Sequence, residues 1–296
     1  MSQAPSPSTG KPYGLARRCR VGGIARSTVS WQRRAPAPRG TRRGPMGPWA
    51  DDALVDHIRR ILAASPVPGE GYRKVWARLR HGGLRTSPRR VLRLMRAHQL
   101  LAPTRQGHPH GPTAHDGTLI PAQVDTMGGT DMPATYTRQE GQVAICMAVD
   151  HYSAECVGIH AAKQGTRFEA LAPIRQGVRT HFGTFGQDIA HGLMLRHAQG
   201  SQYMSHVFQE ELRFLGLASS PAFVREPAGN GCAERFLRTL KENRLWLTTF
   251  DTVEELRLAL HVFQQQYNET WLIGRHGYNT PAQVRHAQRC ALAEAA

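Results

Sequence analysis

The sequence predicts helical, strongly basic segments followed by an α/β domain with a mixed central sheet. Three observations carry that expectation. Apolar residues at helical spacing, with start and stop signals, fill residues 13–101. Short apolar runs of strand length appear only after residue 140. From there strands come first, and strand and helix then alternate, which implies a mixed sheet with flanking helices.

Charge divides along the same line. The net charge of the 296-residue chain is +16, but residues 1–120 hold 22 Lys+Arg against 5 Asp+Glu, and residues 121–296 hold 16 against 17. All the excess therefore lies in the first part. Such an arm suits a polyanion, of which nucleic acid is the commonest, with a solubilising role as the alternative. The five cysteines have no paired spacing and no Cys/His zinc pattern, so reduced thiols in a cytoplasmic protein are expected. No signal-peptide run and no stretch long enough to span a bilayer is present, so no membrane partner is expected.

The expected domains are residues 1–48, 49–101, a linker at 102–120, and 121–296. Residues 13–34 read as a helix-turn-helix. Leu15, Ala16 and Cys19 form its apolar face, Gly22 and Gly23 its turn, and residues 25–32 its second helix. Arg26, Ser27 and Thr28 stand at the start of that second helix, where such motifs reach base edges; a plain helical hairpin is the alternative. Residues 35–48 form a Pro/Arg/Gly linker whose Arg39, Arg42 and Arg43 suit phosphates.

Residues 50–101 read as three helices. Leu54, Val55, Ile58, Ile61 and Leu62 point inward in the first, and Tyr72, Val75, Trp76 and Leu79 in the second. Ser87 followed by Pro88 is an N-cap and first-turn signal for the third. Its polar side carries Arg89, Arg90, Arg93 and Arg96 with no acid between them. Such a row repels itself unless an anion lies nearby, which favours DNA contact over a solvated face.

In the second half, residues 143–150 and 156–161 read as two strands around a turn, with Asp150 as a turn residue. Residues 167–182 read as a helix, 192–197 as a strand, 206–215 as a helix, and 217–224 as an edge strand. Residues 230–246 carry Ala233, Phe236, Leu237 and Leu240 on one helical stripe, with Asn230 as a plausible N-cap. Glu234 sits at the stripe's edge, with Arg238 and Lys241 on the same flank. An acid there suits a metal and two cations suit a DNA backbone; a surface Glu–Arg pair is the plainer alternative. A further helix covers 252–268, and the tail with Tyr267, Asn268, Trp271, Tyr278 and Pro281 wraps the domain.

Several phrases fall into one order: GYRKVWARLR at 71–80, RVLRLMR at 90–96, GTD at 129–131, VDHYS at 149–153, GSQY at 200–203, AERFLRTLKE at 233–242, YN at 267–268 and HGYNTPAQ at 276–283. Together they resemble the transposases of bacterial insertion sequences that carry a retroviral-integrase-type (DDE) catalytic core. The resemblance runs from about residue 13 to about residue 285. It implies a ribonuclease-H-like fold with a five-stranded mixed sheet. It also implies metal-dependent phosphodiester hydrolysis and strand transfer, with three carboxylates holding two Mg²⁺ ions. The partners implied are DNA, as terminal inverted repeats and target, and further copies of the chain.

By the same resemblance, the first carboxylate matches Asp131 and the third Glu234. The second belongs in a phrase that reads H-D-x-G-S-Q-Y in the family, and here Ala198 stands at the aspartate's place. This departure predicts impaired catalysis on an intact fold, or a DNA-binding protein that poisons related assemblies. A second departure is Gly128, where the family often has tryptophan. Gly128 and Gly129 together read as a loss of order and packing. His197, Gln199, Asp150 and Asp188 are expected not to replace the missing acid.

Overall fold

The computed structural model describes residues 5–33, 49–67, 69–103, 120–222 and 230–295. The linker at 35–48 with Arg39, Arg42 and Arg43, most of the linker at 102–120, and residues 223–229 lie outside the described residues. The chain forms two compact units, Met1–Ala50 and Asp51–Ala296.

In the first unit, α1 (Leu15–Val21) and α2 (Arg26–Arg33) are joined through Gly22 and Gly23. Gly23 takes φ 63°, which glycine adopts without strain. Cys19 and Val29 are buried. Arg26, Ser27 and Thr28 are exposed at the start of α2.

The second unit opens with α3 (Asp51–Ala64), α4 (Tyr72–His81) and α5 (Pro88–Ala97). Their core is Leu54, Val55, Ile58, Val75, Leu79, Val91, Leu94 and Met95. Ser87 caps α5, its hydroxyl accepting from the Arg90 amide at 3.2 Å. The arginine row on α5 is not left facing itself. Asp51 takes Arg90 at 2.7 Å and Arg93 at 2.6 Å, and their hydrogen bonds and charges hold its carboxyl below the usual range. The anion that this row needs is thus partly supplied from α3, a residue far away in sequence. Arg89 and Arg96 remain exposed.

Helix α4 also reaches the rest of the unit. Arg78 pairs with Glu70 at 2.7 Å and donates to the Thr270 carbonyl at 3.2 Å. Lys74 lies over the Trp271 ring, and Trp76 meets Tyr278 edge-on with centroids 5.8 Å apart. The phrases at 71–80 and 276–283 therefore touch.

The sheet has six strands: β1 (Met127–Asp131), β2 (Ala134–Thr137), β3 (Gly141–Asp150), β4 (Cys156–Ala162), β5 (Met194–His197) and β6 (Ala218–Pro221). β3 pairs antiparallel with β1, β2 and β4, while β1–β5 and β5–β6 are parallel. β1 and β2 lie along the same edge of β3 in one unbroken register, from Gly128↔Asp150 to Thr137↔Gly141. They are one strand interrupted at Met132–Pro133, where the Pro133 carbonyl still accepts from Ile145. Counting β1 and β2 as one interrupted strand, the sheet has the five-stranded mixed form that the resemblance implies.

Side-chain alternation along β3 divides the core. Val143, Ile145, Met147 and Val149 face α9 (Gly231–Leu240) and α10 (Val253–Thr270). On the other side α6 (Arg167–Phe182) packs with α7 (Ser201–Met204) and α8 (His206–Phe214) around Leu171, Val178, Leu195, Tyr203 and Phe208. β2, α7 and α11 (Pro281–Ala295) were not anticipated, although Thr280-Pro281-Ala282-Gln283 forms a capping box at the start of α11, the Gln283 side chain accepting from the Thr280 amide at 2.9 Å and the Thr280 hydroxyl from the Gln283 amide at 3.3 Å.

Asp150 serves the turn as expected and also reaches α11. It is buried, accepts from the Ser153 amide at 2.7 Å and hydroxyl at 2.6 Å, and faces Arg285 of α11 at 3.8 Å. Arg285 also pairs with Asp125 and Glu155. The register turns Asp150 inward because even-numbered β3 residues face α6. Among the described residues, no helix is long and apolar enough to cross a membrane. The five cysteines are unpaired, and burial pushes the Cys146 thiol up to about 12.

Candidate active site

Two acids stand where β1 ends and α9 begins, near enough for the charge of one to act on the other. Asp131 is the last residue of β1 and half-buried, and its Oδ1 accepts from the Met132 amide at 2.8 Å. Glu234 lies in the first turn of α9 and is exposed. The stripe expected on α9 is present: Ala233, Phe236 and Leu240 are buried and Leu237 partly so. It seats the helix on the sheet and leaves Glu234 at the rim.

Asn230 fixes this junction. It occupies the N-cap position, yet its side chain caps nothing. Instead Nδ2 crosses to the Thr130 carbonyl at 3.1 Å. Thr130 is itself buried, with Oγ1 donating to the Met147 carbonyl at 2.8 Å. The residue before Asp131 is therefore tied to the residue that starts the Glu234 helix.

This approach corrects the reading of Gly129 as a loss of packing. A Cβ at Gly129 would stand 2.3 Å from Asn230 Oδ1 and 2.5 Å from His151 Nε2. Only glycine admits both side chains at this spot. At Gly128 an added Cβ would make ordinary contacts at 3.6 Å, so the same demand does not apply there.

The electrostatics register the convergence. Burial raises the Asp131 pKa, opposed by the Met132 amide and by the charge of Lys241. Burial also raises the Glu234 pKa, and the Asp131 charge raises it further. Like charges in a partly desolvated site disfavour ionisation in this way. Arg238 does not relieve them, because it pairs with Glu242 at 2.9 Å rather than with Glu234. Glu234 has no hydrogen bond or ion pair among the described residues.

Ala198 follows the last residue of β5 and is exposed. β1 and β5 run parallel, with Met127↔Met194 and Gly129↔Arg196 paired. The pairing ends there; Ala198 lies two residues past Arg196, as Asp131 lies two past Gly129. Among the described residues, His197, Gln199 and Asp150 are engaged elsewhere. His197 is buried, with Nε2 at 2.9 Å from Ser219 Oγ and Nδ1 at 2.8 Å from the Ala198 carbonyl. Gln199 donates to the Ala222 carbonyl at 3.1 Å. Asp150 belongs to the Arg285 network. Among the described residues, no group of three His, Cys, Asp or Glu side chains is placed to hold a metal.

A two-ion magnesium centre needs several hard oxygen donors to balance its charge. Two carboxylates and a methyl group do not fit such a pair. Asn230, Thr130 and Gly129 are the site residues that sequence reasoning missed. The Asn-Gly pair ahead of an amphipathic helix reads as a cap, and nothing in its spacing points across to β1.

The family described as HTH-like domain matches residues 49–108. The transposase InsD of insertion element IS2A/D/F/H/I/K from Escherichia coli is 25% identical over 232 residues, which cover 76% of this chain and 76% of that protein. Among solved structures, the catalytic core domain of BIV integrase aligns with a TM-score of 0.42 at 18% identity, covering 56% of this chain and 97% of that one. The catalytic domain of the Mos1 mariner transposase aligns with a TM-score of 0.39 at 11% identity, covering 48% and 70%. By sequence, over three quarters of its length, the chain is similar to a transposase of a bacterial insertion element.

Proposed function

We propose that the chain is a DNA transposition protein of the insertion-element class whose catalytic centre has lost one carboxylate. The observation that carries this is the Asp131–Glu234 pair at the β1–α9 junction, where the Asp131 charge acts on Glu234, while Ala198, just past β5, stands where the resemblance calls for the second acid. In this reading the three positions are Asp131, Ala198 and Glu234. Intact relatives would use them for metal-dependent phosphodiester hydrolysis and strand transfer. Here the metal set is Asp131 and Glu234 alone, magnesium is held weakly, and the chain binds DNA ends without efficient turnover.

The DNA contacts follow the exposed cations. Arg26, Ser27 and Thr28 at the start of α2 suit base edges of a terminal inverted repeat. Arg89 and Arg96 suit phosphates, and Arg90 and Arg93 share their charge with Asp51. Lys241, whose charge acts on Asp131, suits the phosphate next to the reacting bond, and Arg238 flanks it. Self-association is part of the proposal, because two element ends must be held together.

The test is strand transfer on a matching inverted repeat with Mg²⁺ or Mn²⁺, comparing the parent with Ala198→Asp. The aspartate variant is expected to gain orders of magnitude in rate. Equal rates would sink the vacated-ligand assignment.

A second reading, a dominant-negative regulator, is favoured by the basic first part standing beside a depleted acid set. Co-expression with an active relative should then lower transposition. An unchanged frequency would rule it out.

A further inference from the structure

The face of the sheet that holds the acids also holds a cation with no acid to meet it. Along a strand, side chains alternate between the two faces. Gly128 and Leu195 line the cavity beside α6, so Gly129 and Asp131 of β1 and Arg196 of β5 turn to the opposite face, where α9 lies. The approach of Gly129 to Asn230 agrees. β6 divides in the same way. Ser219 meets His197 at 2.9 Å on the α6 side, where His197 stacks on Tyr203. Ser220 meets Arg196 on the other side, its Oγ accepting from Nη1 at 3.1 Å. Gly129 is the register partner of Arg196, and Asp131 is two residues further along β1. With strands about 4.8 Å apart and about 3.3 Å per residue, the Asp131 and Arg196 backbones stand roughly 8 Å apart.

The Arg196 side chain is held but not neutralised. Arg196 and Ser220 are half-buried. Among the described residues no carboxylate pairs with Arg196, and its Nε is enclosed without a hydrogen-bond acceptor. By contrast, Arg78 is met by Glu70, Arg175 by Glu211, and Arg285 by three carboxylates. A partly desolvated cation without a counter-ion is costly, and an anion bound from solution relieves that cost.

The β5–β6 part of this face is reachable. The helices on it sit over the other strands, α9 on β1 and β3 and α10 on β4. Met194 and Ser220 are half-buried there and Ala218 is exposed. A DNA strand whose reacting phosphate lies at the acids carries further phosphates on either side. A guanidinium suits phosphate oxygens, and the Ser220 hydroxyl, which accepts from Arg196, has its own proton left to donate.

We propose that Arg196, seated by Ser220, is a subsite for a DNA phosphate next to the one held at the Asp131–Glu234 junction, a contact that needs no metal. The proposal rests on the functional reading above and deepens it. A centre that has lost one acid still grips the strand through a cation on the same face. Arg196 is a binding residue and takes no part in bond breaking.

The full-length chain should be titrated with a labelled duplex ending in the matching inverted repeat, in EDTA and at several salt concentrations. Arg196→Gln, which keeps a donor for Ser220, is expected to weaken binding roughly tenfold and to lower the slope of log K against log salt by about 0.9, the loss of one phosphate contact. Arg196→Lys should keep the parent's slope. Neutral methylphosphonates placed one at a time near the duplex end should weaken the parent at one position, and Arg196→Gln should be indifferent to that same position. An unchanged slope in Arg196→Gln, a slope lost equally in Arg196→Lys, or losses that add at every position would each overturn the subsite. A flat methylphosphonate scan of the parent would do so without any variant. The outcome separates from the active-site assignment. A gain in strand transfer for Ala198→Asp, with Arg196→Gln binding like the parent, removes the subsite alone. Equal strand-transfer rates with the expected Arg196→Gln loss remove the vacated ligand alone.

Discussion

Asn230 Nδ2 donates to the carbonyl oxygen of Thr130 across 3.1 Å, between residues a hundred positions apart. That bond sets the spacing of the two acids, because Thr130 precedes Asp131 and Asn230 opens the helix carrying Glu234. Asn230→Ala is expected to lower stability by about 1 kcal/mol, the usual net value of one such hydrogen bond. Gly129→Ala should cost more, roughly 1–3 kcal/mol, because the new methyl collides with Asn230 and His151. The double variant should show a coupling of opposite sign, since removing Asn230 frees part of that space. Urea melts of the four proteins measure it, and strict additivity would place the crowding elsewhere.

Gly128 should behave in the opposite way from its neighbour. It lines a cavity of about 40 Å³ between α6 and the sheet, and its backbone is ordinary strand. An alanine there meets Leu195 and Val149 at normal contact distance. Gly128→Ala is expected to stabilise the fold by about 0.4–1 kcal/mol through the unfolded chain's lost freedom. A lower melting temperature would contradict this.

The raised pKa values of Asp131 and Glu234 make the site a stability burden at neutral pH. In the unfolded chain the two carboxyls ionise near their ordinary values of 3.8 and 4.5. The folded chain keeps its protons to higher pH, so it binds more protons than the unfolded chain within that window. Stability therefore falls as pH rises through the window and stays reduced above it. Asp131→Asn, which retains an oxygen for the Met132 amide, should melt a few degrees higher than the parent at neutral pH. The difference should close as pH falls to the ordinary carboxylate range. A lower melting point at neutral pH would mean that Lys241 outweighs burial.

Arg285 holds the far end of the sheet together. Its side chain is buried against Asp125, Asp150 and Glu155. Arg285→Met should destabilise the second unit by about 3–5 kcal/mol, because it leaves buried carboxylates without their cation. His181, pushed down to about 4 by burial and by the Arg285 charge, should titrate at higher pH in this variant. Imidazole resonances followed by NMR would report both effects, and an unmoved His181 would deny the coupling.

Much of the molecule was legible in the chain itself, and the reason is local. Helix α6 was readable over residues 167–182 because its apolar spacing is written within a few residues. The Ser87 cap, the α9 stripe and the division of charge were legible for the same reason. Motif order then related Asp131, Ala198 and Glu234 to one site.

Other features required the fold. The carboxylate that takes up Arg90 and Arg93 comes from α3, the pairing of Asp150 comes from α11, and the need for Gly129 comes from Asn230 and His151. Each is a contact between residues distant in sequence, and periodicity carries no information about which remote side chain arrives. Hydrophobic pattern and capping act over a turn or two of backbone. Charge partners, close approaches and the meeting of β1 with α9 depend on packing of the sheet, and only tertiary structure decides them.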